Sequence, residues 1–159
     1  MQDRIEEIRE FFSQYEANFN DALRGDQEGE DKVVDPGQLA KRTAKFFSDC
    51  FIGANPRGVA CAKNDDEFIS QIQRGYDFYR SLGTLSMKIS GLKIVLLDDY
   101  HAQAIVAWRS TYSKKDEEGN GVVIDFEVIY LLQTIANGPK IFAYITGDEQ
   151  SALRQRGLL

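Results

Sequence analysis

The sequence predicts an α+β domain in which a strongly twisted antiparallel sheet forms the C-terminal half and three N-terminal helices lie on its concave face. Two observations carry this reading. Apolar residues recur every three or four positions up to about residue 82, and from Leu85 onward they alternate with a period of about two. The segments joining the later strands are also too short to hold crossover helices, so those strands must pair antiparallel.

The first helix carries Ile5, Ile8, Phe12, Tyr15, Phe19 and Ala22 on one stripe and ends near Arg24-Gly25. The acidic stretch from Asp26 to Asp31 has no apolar anchor and reads as a solvated loop, without the spacing or final Glu of an EF-hand. A second helix starts at Asp35-Pro36, with Asp35 as its cap and Pro36 at the first helical position. It is expected to carry Leu39, Thr43, Phe46, Phe47 and Cys50 toward the core. A strand-like segment from Phe51 is interrupted by an Asn55-Pro56 turn and resumes to about Lys63. Asn64, three residues before Glu67, is expected to cap a third helix whose stripe is Phe68, Ile72, Tyr76 and Tyr79, closed by Gly83. Strands follow at roughly 85–97, 102–114, 121–135 and 140–146. Asp98-Asp99, the run from Glu118 to Gly121, and Asn137-Gly138-Pro139 supply the turns between them.

A chain of 159 residues fits one domain, 1–159, and buries roughly 70% of its unfolded surface. Its formal charge of −6 repels a phosphate backbone, so nucleic acid is not an expected partner. The opening MQDRIEEIRE has no apolar core of the signal-peptide kind, and no apolar run approaches the roughly 20 residues that span a bilayer. The expected location is the cytoplasm, with no membrane partner. Cys50 and Cys61 lack CxxC spacing and are expected to be buried free thiols, and a single histidine, His101, leaves no recognisable metal set. Neither a metal nor an organic cofactor is expected, since no phosphate-binding glycine loop, HExxH or GxSxG motif is present.

Helices on one face of a long twisted sheet leave a conical space that is harder to fill at its mouth than at its tip. With this element order, Phe46-Phe47-Ser48-Asp49, Asn55-Pro56-Arg57-Gly58, the helix from Asp65 to Leu82 and Asn137-Gly138-Pro139-Lys140-Ile141 resemble the nuclear transport factor 2-like superfamily, including its SnoaL-like and steroid-isomerase-like members. The resemblance covers almost the whole chain. It implies a cone-shaped, cystatin-like roll and a homodimer packed through the outer sheet face, but it does not imply one function. In steroid-isomerase-like members an aspartate base precedes the turn proline. Here that position is Asn55, which has no titratable carboxylate but can orient a carbonyl through its amide. The oxyanion donors of such members correspond most nearly to Tyr15, about one turn early, and to Tyr130 or Leu131.

Strand parity selects the side chains that face the cone. Ile124, Phe126, Val128, Tyr130 and Leu132 form the apolar set of one strand, and Ala104, Val106 and Trp108 that of its neighbour. Tyr15, Phe19, Asn55, Tyr76, Trp108 and Tyr130 are therefore the candidate ligand-binding residues, with core packing as the competing role of each aromatic. Arg109, Asp125 and Glu127 suggest an Arg/carboxylate cluster of the epoxide-hydrolase type, but parity puts them on the outer face as surface ion pairs. His101 reads as an exposed turn residue. Asp49 is an alternative carboxylate, expected to be exposed at the end of the second helix. The leading expectation is a small-molecule-binding domain, as a cofactor-independent isomerase, cyclase or dehydratase acting on a hydrophobic oxygenated compound. The alternative is a non-catalytic dimeric interaction domain, and Ile129 and Leu131 on the outer parity fit a covered face under either reading.

Overall fold

A computed structural model describes residues 2–24 and 36–159. The Asp26–Asp31 loop and the Asp35 cap lie outside the described residues. The elements run α1 Gln2–Arg24, α2 Pro36–Ala44, β1 Phe47–Asn55, β2 Gly58–Lys63, α3 Asp66–Ser81, β3 Thr84–Leu96, β4 His101–Lys115, β5 Gly121–Thr134, β6 Pro139–Ile145 and α4 Glu149–Gln155. The six strands form one sheet in the order β2-β1-β6-β5-β4-β3. The four long strands are antiparallel, as their short turns require. The sheet is mixed at one place only among the described strands, where β1 joins β6 in parallel.

Parity sets the core. Ala104, Val106, Trp108, Val128, Tyr130 and Leu132 are all buried, and they meet Ile8 and Phe12 of α1. Phe11, just off the expected stripe, is buried too and packs edge-on against Phe12 and Phe46 with ring centroids 5.1 Å apart. On the opposite face Arg109 Nε donates to Asp125 Oδ1 at 2.7 Å, a cross-strand ion pair open to water.

Three local expectations are corrected. The second helix stops at Ala44, not at Cys50, because Phe46 N turns back to Thr43 O at 3.0 Å and Ile141 N of β6 then bonds Phe46 O at 2.8 Å. Phe47 and Phe51 both face the core from β1, four residues apart across an irregular register, so a bulged strand has helix-like apolar spacing. The buried-thiol expectation fails with it. Cys50 is the exposed neighbour of Phe51, and Cys61, exposed as well, pairs across from Ile52 on the outer side of the β1–β2 hairpin. Third, Asp65 rather than Asn64 caps α3, accepting from Phe68 N at 3.0 Å. Asn64 Nδ2 instead donates to Ala44 O at 2.7 Å and Phe47 O at 3.1 Å, tying the end of α2 to the start of β1. A short fourth helix, α4, goes beyond the three expected. Asp148 caps it and Leu153 anchors it against Tyr112 and Val122.

The first helix is fastened to β3, an edge strand, by side chains bonded to backbone. Asn20 Oδ1 accepts from Met87 N at 2.9 Å, and Asn20 Nδ2 donates to Met87 O at 2.7 Å. One turn earlier, Glu16 Oε2 accepts from Ile89 N at 2.7 Å. Asn20→Ala would leave both backbone groups of Met87 buried without partners, and we expect a loss of about 1–3 kcal/mol in urea unfolding. A change below about 0.5 kcal/mol, the range of ordinary surface substitutions, would show that the clamp does not hold α1.

Candidate functional site

Between α1, α3, α4 and the inward face of the sheet lies a cavity of about 370 Å³, a size within the usual range for small-molecule sites. Five of the six candidate ligand-binding residues line it: Tyr15 and Phe19 from α1, Tyr76 from α3, Trp108 from β4 and Tyr130 from β5. Asn55 does not reach it. Its Oδ1 accepts from Arg57 N at 2.8 Å and shapes the β1–β2 turn, the role an exposed Asn before Pro most readily takes.

The wall is dominated by phenols. Of the seven tyrosines in the chain, Tyr100 alone is absent from it. Tyr79, Tyr112 and Tyr144 complete the set, although none of them is among the candidate ligand-binding residues. For Tyr112 the signal is present in the sequence, since it continues the parity of Trp108 through Ser110. Tyr79 shares the stripe of Tyr76, and Tyr144 pairs with Tyr130 across β5 and β6. Glu149, whose carboxylate accepts from the Tyr79 hydroxyl, comes with the additional helix α4.

Among the described residues no histidine, lysine, arginine or cysteine lines the cavity, and its acidic residues, Glu127, Asp148 and Glu149, are exposed. Also among the described residues, no three His, Cys, Asp or Glu side chains converge as a metal set would. Asp49 is exposed on β1, away from the cavity. His101, expected as an exposed turn residue, is instead the half-buried first residue of β4, paired with Gln133 of β5, and Asp98 Oδ1 accepts from His101 N at 2.7 Å and meets the ring Nδ1 at 2.8 Å. Bonds from nearby backbone N–H groups and that ring contact hold the Asp98 carboxyl below its usual range.

Burial governs the phenols. It pushes Tyr15 and Tyr79 well above the ordinary tyrosine value, with neighbouring hydroxyls adding to the effect at Tyr15 and the Glu149 carboxylate at Tyr79. Burial also raises Tyr130, opposed by bonds from Trp108 and Tyr15. Raised less are Tyr76, Tyr112 and Tyr144. The cavity therefore presents neutral hydroxyls in an apolar setting, suited to hydrogen-bonding an uncharged oxygen compound rather than to taking a proton from carbon.

A cone-shaped α+β roll with an aromatic cavity is the class that fold and site define together. The profile of a family described as NTF2-like protein (DUF6841) matches residues 6–149, and the chain belongs to that family. No curated protein matches it. Among solved structures, an NTF2-like protein with a cystatin-like fold from Novosphingobium aromaticivorans is similar, with 14% identity, TM-score 0.65, and 99% of this chain and 90% of that one covered. Aln2 from a Streptomyces species is similar at 13% identity and TM-score 0.64, with 98% of each chain covered. So is a candidate scytalone dehydratase from N. aromaticivorans, at 12% identity and TM-score 0.63, with 91% of this chain and 86% of that one covered. At these identities the likeness is one of fold.

The raised phenols link stability to alkaline pH. An unfolded tyrosine ionises near 10.0 while the buried ones stay protonated. The stability they confer is therefore complete below pH 10 and falls as the pH rises above it. Titration of phenolate absorbance should show several of the seven tyrosines ionising only as the fold is lost. Ionisation of all of them near pH 10 in the native protein would contradict this.

Proposed function

We propose that this protein is a small-molecule-binding domain whose cavity takes a hydrophobic, oxygen-bearing compound. The observation that carries the reading is the convergence of six tyrosines and Trp108 on one apolar cavity of about 370 Å³. Solid packing of these rings would have left no space, and the three acids of the lining, Glu127, Asp148 and Glu149, are exposed to solvent rather than buried among the rings. In its finer form the domain is a cofactor-independent enzyme of isomerase, cyclase or dehydratase type, in which a neutral tyrosine hydroxyl donates to an oxygen that gains charge during reaction. The likeness in fold to a candidate scytalone dehydratase agrees with this form.

A second observation favours self-association. On the outer sheet face one register row runs through Lys93, Ile105, Ile129, Ile145, Ala54 and Val59, crossing all six strands. Val59 is 72% exposed and Ile145 47%. The apolar members of the row, from Ile105 to Val59, span five strands and are what a homodimer would cover, and with them the neighbouring Ile52 and Leu131. Among the described residues no helix is long and apolar enough to cross a membrane. Exposed, unpaired Cys50 and Cys61 fit a reducing compartment, which supports the cytoplasm as the location.

Native mass spectrometry should give a dimer, with excess mass wherever a ligand survives purification, and a monomer at micromolar concentration would sink the dimer reading. Trp108 is the only tryptophan and lines the cavity, so its emission should respond saturably to 1-tetralone, a bicyclic ketone. Gly75 supplies the control. It lines the cavity from α3, and a Cβ there meets nothing within 4 Å. Gly75→Leu should weaken binding at least about tenfold, while the loss of a helical glycine leaves stability equal or higher by roughly 0.5–1 kcal/mol. Undiminished binding by that variant would place the ligand elsewhere.

A further inference from the structure

The hydrogen bonds of the α3 side of the cavity wall fix what that side offers a ligand. Thr43 sits in the last turn of α2, and its single hydroxyl proton goes to Leu39 O at 3.1 Å. Asn18 Nδ2, a donor, occupies one lone pair of Thr43 Oγ1. The short contact between Thr43 Oγ1 and the Tyr76 hydroxyl is then satisfied by the Tyr76 proton, the arrangement that makes the most bonds within the wall. Tyr76 is thereby left with oxygen lone pairs and no proton for the cavity. One turn along α3 the Tyr79 hydroxyl donates to Glu149 Oε1, a carboxylate oxygen that only accepts, so Tyr79 is in the same state.

We propose that the α3 wall of the cavity is an acceptor surface, with Tyr76 and Tyr79 offering oxygen lone pairs and no proton, so that it selects a hydrophobic oxygen compound bearing a hydroxyl. The ligand hydroxyl faces α3. This inference depends on the reading of the cavity as a small-molecule site. An oxygen compound without a donor leaves the α3 phenols facing its apolar surface, and the loss of such bonds in a dry site is what distinguishes close analogues.

Calorimetric titration of the full chain with 1-tetralone, 5-methoxy-1-tetralone and 5-hydroxy-1-tetralone tests the proposal. All three share the ring system and ketone, and the last alone adds a donor. The hydroxy compound should bind at least about tenfold more tightly than the methoxy compound, one good hydrogen bond in a buried site. Tyr76→Phe should cut that ratio severalfold while leaving the methoxy affinity in place. Thr43→Val releases the Tyr76 proton into the cavity, so it should weaken the hydroxy compound and strengthen the methoxy one. A merely structural defect would weaken all three ligands alike. Equal binding of the three ligands by the wild-type protein, or a ratio that neither variant changes, overturns the acceptor assignment alone. Binding of none of them overturns the cavity reading and this proposal together.

Discussion

Asn20 and Glu16 give their side chains to the backbone of β3, and most of the architecture follows from that fastening. An edge strand presents a row of unpaired N–H and C=O groups, which proteins cover, charge or distort to avoid unwanted pairing. Here α1 covers part of that row, bonding Met87 through both of its backbone groups and Ile89 through its N–H. Glu16 and Asn20 are one helical turn apart, as are their immediate neighbours Tyr15 and Phe19. The first pair docks the helix and the second lines the cavity. The rotation of α1 that satisfies β3 is therefore the same rotation that aims two aromatic rings between helix and sheet.

The cavity's electrostatic character comes from what its walls exclude. Basic side chains stay outside, as where Arg109 pairs with Asp125 in water, and the three acids of the lining, Glu127, Asp148 and Glu149, are exposed to solvent. What remains inside is aromatic surface with hydroxyl tips. In a setting of low dielectric such groups keep their protons, and each hydrogen bond that they make or miss counts for more than it would in water. Selectivity in this protein is accordingly a matter of where protons point.

Much of the fold was legible in the sequence because it depends on local patterns. The helical stripes, the change to alternation near Leu85 and the turn residues gave α1, α3 and the four long strands to within about one residue. Parity then placed Trp108 and Tyr130 inward and Arg109 and Asp125 outward. The failures arose where partners distant in the chain decide the outcome. Phe47 to Cys50 becomes strand because β6 lies ready to pair with it, and Cys50 is turned outward as a result. Asn64 looks like a cap, yet it serves carbonyls some twenty residues earlier, leaving Asp65 to cap α3. Asn20 lies off the apolar stripe of α1, and nothing in the local sequence reveals that a strand 67 residues later needs it. Nor does local pattern say that α4 folds back to bring Glu149 to Tyr79.

Gly53 lies behind the cavity wall, where β1 runs parallel to β6 and the Tyr144 ring rests on it. A methyl group there would stand 2.6 Å from the Tyr144 oxygen and 2.7 Å from its ring carbon, closer than real atoms approach. The ring would have to swing away from β1, toward the enclosed space. The capacity of the chamber is thus tuned from outside its lining, by a glycine of the β1–β2 hairpin whose replacement would resize it with every lining residue retained.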